Sequence, residues 1–324
     1  MSPSAATLTL RPPPGATAVP AFDRGWLTAP GERSPFLSYV AAEHAVNWSD
    51  GLEELHEESS RTHFIDVWTR RAMLASIGEL PSEPVLLDIG CSTGHLLEDL
   101  RAGAPQATLI GLDLVTSGLR KAHAHVPQAR LLQADACALP LRGGTVDVVV
   151  SANLLEHVPD DVAALAEIRR VLRPGGRAVL VVPLGPHNYD YYDSFLHHER
   201  RYARGELAAK ARGVGLRPLR DHALGALVYP AFWAVKQRNR RRYDELRGEP
   251  LRRRVARDIA RTNDSRLGQL ACRLEERLLA HGVELPFGIR GLTLLERPRE
   301  APAGAAPDGP GAAPAGAVQP AGAA

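Results

Sequence analysis

Five short apolar runs, each set off by a turn and most followed by residues at helical spacing, constrain this chain more than any other feature. Val85-Leu-Leu-Asp-Ile89 ends at a glycine-containing turn, after which Leu96, Leu97 and Leu100 recur at helical spacing until Gly103. Thr108-Leu-Ile-Gly-Leu-Asp113 repeats the pattern, with a helix over Ser117–His125. Arg130–Gln133 and Val146–Ser151 are the third and fourth runs. A helix over Asp160–Leu172 places Val162, Leu165, Ile168 and Leu172 on one face, Pro174-Gly-Gly176 forms a turn, and Arg177–Val182 is the fifth run. Strands this apolar are buried on both faces, and with helices between them they pair in parallel. The pattern predicts a doubly wound α/β domain. Two weaker strands, Leu216–Asp221 and Gly291–Glu296, flank a helical, arginine-rich insertion.

Composition sets the limits around this core. A hydrophobic share of 44% over 324 residues supports a buried core, and no run approaches the roughly 18 apolar residues of a membrane span. Met1–Pro20 lacks a basic head followed by an apolar stretch, so no secretory signal is expected. Cys91, Cys137 and Cys272 stand in neither a disulfide framework nor a metal-ligand spacing, and no metal is expected. A cytoplasmic protein is expected. Residues 1–35 and the Ala/Pro/Gly tail over 299–324 read as disordered. Between them, 36–84 reads as a helical lid, 85–223 as the α/β core, 224–285 as the basic insertion, and 286–298 as the last core strand.

The segment Asp88-Ile-Gly90-Cys-Ser-Thr-Gly94 carries the functional information. Ligands of such sheets bind beyond the carboxyl ends of the strands, where glycines let backbone approach closely. A dinucleotide site would show G-x-G-x-x-G to cradle a pyrophosphate. Here the glycines fall as G-x-x-x-G, with a carboxylate two positions before the first. That carboxylate would repel a pyrophosphate but suits a cationic ligand such as S-adenosylmethionine, which carries an ammonium and a sulfonium. Asp113 ends the second strand, placed to accept hydrogen bonds from ribose hydroxyls. Asp135 follows the third, near where an adenine amino group would lie. Any one of these aspartates is as readily a turn or cap residue; three on successive strands are not a coincidence.

Leu86–Leu97 resembles the first motif of the class I S-adenosylmethionine-dependent methyltransferases. Asp113, Asp135–Ala136, Asp147–His157 and Leu172-Arg-Pro-Gly-Gly176 match later features of that family in order, over about residues 85–183. The resemblance implies a Rossmann-like, seven-stranded, mostly parallel sheet of order 3-2-1-4-5-7-6, its last strand antiparallel. It implies that S-adenosylmethionine is held by Asp88, Gly90, Cys91, Ser92, Gly94, Asp113, Leu114, Asp135, Ala136 and Asn153. Ser92 stands where the family has glycine and is expected to keep a negative φ.

Methyl transfer from a sulfonium needs positioning first; a base is needed only for a poorly acidic acceptor. Candidate bases are His157, after the fourth strand, and His197 or His198 in the Tyr- and His-rich segment 185–202, although each can equally be a packing or surface residue. Within the insertion, 236–261 holds eleven basic and four acidic residues, a local charge of +7 against +2 for the whole chain. The aromatic stretch 224–235 precedes it. Three readings compete: a solvated roof over the site, contact of 224–261 with the inner membrane surface, and RNA, the last least favoured because no RNA-binding module accompanies it. The expected activity is methyl transfer to a small-molecule or lipid-linked acceptor. Its alternatives are a catalytically silent partner subunit and another adenosine-dependent reaction such as aminopropyl transfer.

Overall fold

The structure, a computed structural model, describes residues 10–40, 61–243, 250 and 265–299. The strands are β1 (Trp26–Ala29), β2 (Glu32–Ser34), β3 (Phe36–Ser38), β4 (Val85–Ile89), β5 (Thr108–Asp113), β6 (Arg130–Gln133), β7 (Val146–Ala152), β8 (Leu172–Pro183), β9 (Arg217–Leu224) and β10 (Arg290–Glu296). The α-helices are α1 (Phe64–Ile77), α2 (His95–Gly103), α3 (Thr116–His125), α4 (Asp161–Val171), α5 (Tyr191–Phe195), α6 (Glu206–Gly213), α7 (Tyr229–Tyr243) and α8 (Arg266–Ala280).

The main sheet runs β3-β6-β5-β4-β7-β8-β10-β9, with β10 antiparallel to both neighbours. It contains the expected order 3-2-1-4-5-7-6 and adds an eighth strand, β3, parallel to β6 at the edge. All five residues of β4 are buried, as a central parallel strand requires. Alternation divides them: Val85, Leu87 and Ile89 join the core under α4, with Leu165 and Ile168. Leu86 joins the opposite core with Leu97, Leu100 and Leu119 of α2 and α3. On α4 the buried stripe is Ala164, Leu165, Ile168 and Val171, whereas Val162 is 44% exposed rather than facing the core. Pro174-Gly-Gly176 lies inside β8 as a bulge. Val146 pairs with Leu172 and Val148 with Arg177, and Gly175 N–H donates to Arg297 O at 2.7 Å.

The amino-terminal segment corrects the expectation of disorder over 1–35. From residue 10 onward it is fixed to the sheet: Leu10 bridges Leu141, and Trp26 is 2% exposed with its indole N–H donating to Leu131 O at 3.0 Å. One buried tryptophan outweighs the Pro- and Ala-rich composition around it. Residues 1–9, 41–60 and 300–324, with most of 244–264, fall outside the described residues. The insertion's α8 is tied back to the core by Glu275, 2% exposed, which accepts from the N–H groups of Gly225, Ala226 and Leu227 at 2.9, 3.1 and 3.0 Å. Those three bonds fix the turn from which α7 starts. No helix among the described residues is long and apolar enough to cross a membrane.

Candidate active site

The carboxyl ends of β4, β5, β6 and β7 open into a cavity of about 420 Å³, joined through Gly90, Ser92, Asn153, Asp66 and Arg290 to a recess of about 70 Å³. Asp88 lines the recess at 1% exposure, and its Oδ2 has no hydrogen-bond partner among the described residues. Burial, reinforced by Asp113, pushes its carboxyl up to about 8. A buried acceptor left without a donor is what a cationic ligand would complete. Gly90 has φ 77°, and a Cβ there would lie 3.0 Å from Leu154 Cβ, so the turn has no room for a side chain.

Asp113 organises the loop. Its Oδ2 accepts from Ser92 N–H at 2.8 Å and its Oδ1 from Val115 N–H at 2.9 Å. Its carboxylate lines the larger cavity, where ligand hydroxyls would lie. Ser92 has φ 46°, against the expectation of a negative value; the Asp113 bond holds it in the left-handed region that favours glycine. Gly94 does not line either cavity. At φ 87°, a Cβ there would come 3.0 Å from Ala122 Cα, so its smallness lets α2 pack against α3. Cys91 lines only the recess, while Leu114, Asp135, Ala136 and Asn153 line the larger cavity. Asp135 Oδ1 caps its own turn through Cys137 N–H at 2.8 Å.

The far side of the cavity is built from segment 185–202 and the insertion. Asp190-Tyr-Tyr-Asp193 is a capping box: Asp190 Oδ1 accepts from Tyr192 N–H, and Asp193 Oδ2 from Asp190 N–H, both at 3.0 Å. The same two carboxylates hold Lys236 of α7, at 2.6 Å from Asp190 and 3.0 Å from Asp193. Asp193 also takes Arg201 Nε at 2.7 Å and His198 Nδ1 at 2.8 Å. Burial alone would raise the Asp193 carboxyl, but His198, Arg201 and Lys236 together hold it well below the usual carboxylate range. Arg290 bridges Asp66 and Thr69, the latter at 2.8 Å, and joins α1 to the cavity wall.

Among the candidate bases, His157 and His198 line the cavity with ring centroids 4.7 Å apart. His197 is exposed at φ 54° and does not reach it. Glu156, 1% exposed, lines the same cavity, and burial pushes its carboxyl up. Lys236, Asp66 and Arg290 were not anticipated as site residues. Lys236 lay hidden in a run of arginines, and Arg290 enters only because β10 returns antiparallel into the sheet.

A methyltransferase-domain family model matches residues 87–180. A demethylmenaquinone methyltransferase of Thermus thermophilus is 38% identical over 118 residues, 35% of this chain and 53% of that protein. A trans-aconitate 2-methyltransferase of Azoarcus is 34% identical over 153 residues, 47% of this chain and 57% of that protein. The chain thus spans about half the length of the curated relatives it matches. In fold it is similar to Haemonchus contortus phosphoethanolamine N-methyltransferase 2 in complex with S-adenosyl-L-methionine, with a TM-score of 0.53 at 16% identity, covering 78% of this chain and 58% of the other. Motif, strand order and the carboxylates at the sheet's edge agree: residues 87–180 are a methyltransferase domain, and the chain around them has the fold of the class I S-adenosylmethionine-dependent methyltransferases.

Proposed function

We propose that this chain transfers a methyl group from S-adenosylmethionine to a small-molecule acceptor by in-line displacement. The observation that carries the reading is the set of carboxylates on adjacent strand ends: Asp88, with a buried oxygen that has no partner among the described residues, and Asp113 and Asp135, which line the cavity. Asp88 and Gly90 would hold the methionine end, Asp113 the ribose, and Asp135 and Ala136 the adenine. Bound there, the cofactor supplies an electrophilic methyl group on a sulfonium. The protein's own part is to exclude water and to orient the acceptor. The acceptor would lie between Asn153 and the Glu156–His157–His198 group, roofed by Phe232 and Lys236 of α7.

The finer reading is a lipid-like acceptor delivered from an anionic membrane surface. Of eleven exposed large hydrophobic residues among the described ones, eight fall between Leu227 and Phe287. Leu267, Leu270 and Leu274 form a stripe on α8, at 80%, 63% and 50% exposure, beside Arg266, Arg273 and Arg277. Trp233 of α7 is 47% exposed one residue from Phe232, which lines the cavity. An apolar face flanked by cations suits an anionic interface. Much of the basic run itself lies outside the described residues.

The test is calorimetric titration of the purified chain with S-adenosylmethionine, S-adenosylhomocysteine and NADH, followed by S-adenosylhomocysteine release over a panel of quinol, carboxylate and prenyl-lipid acceptors. Micromolar binding of the first two and turnover with one acceptor class support the reading. Binding of NADH alone, or none at all, refutes it. Co-sedimentation with anionic vesicles, lost when Leu267, Leu270 and Leu274 become Ser, supports the membrane route; equal binding to neutral vesicles overturns it.

A further inference from the structure

We infer that Glu156, His157 and His198 form a site for one divalent cation of the zinc, iron or cobalt type, on the acceptor side of the cavity. One donor atom from each residue lies within 4.8 Å of the other two. Ligands of a tetrahedral ion at about 2.1 Å sit about 3.4 Å apart, so occupancy draws the three side chains together by about an ångström. Two imidazoles and one carboxylate are a donor set that selects such ions over magnesium or calcium.

The charge inventory of the cavity points the same way. Arg290 is matched by Asp66, Lys236 by Asp190, and Arg201 by Asp193. On the acceptor side of the cavity, Glu156 is the carboxylate left over: it is 1% exposed, its Oε2 has no hydrogen-bond partner, and no side-chain cation pairs with it among the described residues. A buried carboxylate in that position requires a proton or a cation.

The surroundings have the form of a metal site's outer layer. His198 Nδ1 is engaged by Asp193 at 2.8 Å, which leaves Nε2 as the donor nitrogen and fixes the ring, as the carboxylate partners of metal-bound histidines do. Asp193 is itself fully buried and fixed by Arg201 and Lys236. The two ligand segments are tied together where Glu199 N–H donates to Glu156 O at 2.8 Å. Three protein ligands leave positions open toward the cavity, where an acceptor oxygen can bind. His198 then acts as a ligand rather than as a base. The cysteine spacing gave no sign of such a site, because its ligands come from the turn after β7 and the loop after α5.

The site's location relative to an acceptor rests on the methyl-transfer reading, but its existence does not. The test is titration of untagged, chelator-stripped protein with Co²⁺, read by visible d–d absorption and by metal analysis after gel filtration, with Zn²⁺ as competitor. One Co²⁺ per chain, displaced by Zn²⁺, is expected, with affinity at least tenfold weaker in Glu156→Gln and in His198→Gln. Unchanged melting temperature of the stripped variants serves as the fold control. No stoichiometric binding, or equal binding by wild type and both variants, overturns the inference and assigns any bound metal to surface histidines. Calorimetry with S-adenosylmethionine on the same samples separates the two claims. Cobalt without cofactor binding refutes the methyl-transfer reading alone, and cofactor without cobalt binding refutes the cation site alone.

Discussion

Asp88 offers the sharpest quantitative test of the cofactor assignment. Its carboxyl moves from 3.8 to about 8 on burial in the ligand-free protein. The folded value is raised, so the native state keeps a proton that the unfolded chain has released between these limits. Stability therefore falls as pH rises from about 4 to about 8, and at pH 7 the cost is of the order of 4 kcal/mol, at 1.36 kcal/mol per unit. A cation placed against Oδ2 favours the charged form and so opposes that shift. Binding S-adenosylmethionine at pH 6.5 should then expel close to one proton, and affinity should tighten about tenfold per pH unit between 5.5 and 7. That window lies below the titration of an α-amino group. The assay is calorimetry in buffers of differing ionisation enthalpy. The observed enthalpy should scale with the buffer in wild type and not in Asp88→Asn, which should also melt higher at pH 7. A buffer-independent enthalpy in wild type would refute the idea that Asp88 meets the cofactor's charge.

Further perturbations test other links. Asp113→Ala should weaken cofactor binding by about 2–4 kcal/mol, since it removes charged acceptors and releases the Ser92 N–H; unchanged affinity in equilibrium dialysis would contradict its ribose role. Ser92→Gly should stabilise the fold by up to about 1 kcal/mol, the relieved left-handed strain less the entropy that glycine adds to the unfolded chain, and a lowered melting temperature would show that the serine hydroxyl matters more than its backbone. Lys236→Met leaves Asp190 and Asp193 facing each other in a buried site and should cost about 3–5 kcal/mol in urea unfolding. Trp26→Ala should cost about 3–5 kcal/mol; no change would mean that the amino-terminal segment is not anchored as described.

The central half of this protein is legible in its sequence because its signals are local. Apolar runs such as Val85–Ile89 must be buried on both faces, and an aspartate closing one run sits at the ligand edge of any parallel sheet. That reasoning placed Asp88, Gly90, Asp113 and Asp135, and it gave the strand order through the family resemblance. It failed where one distant contact outweighs composition. Trp26 reaches Leu131 and orders a segment that reads as disordered, and the Asp113 bond holds Ser92 at a φ that serine alone would avoid. Gly94, read as a ligand residue, is small because a helix passes beside it. Of two adjacent histidines, only His198 faces the cavity, since a single left-handed residue turns His197 outward. Apart from its histidines, the far wall of the site belongs to tertiary structure. Glu156, His198, Lys236 and Arg290 come from four separate segments, and the pairs Lys236–Asp190, Arg290–Asp66 and His198–Asp193 join parts of the chain whose contact a linear pattern does not record.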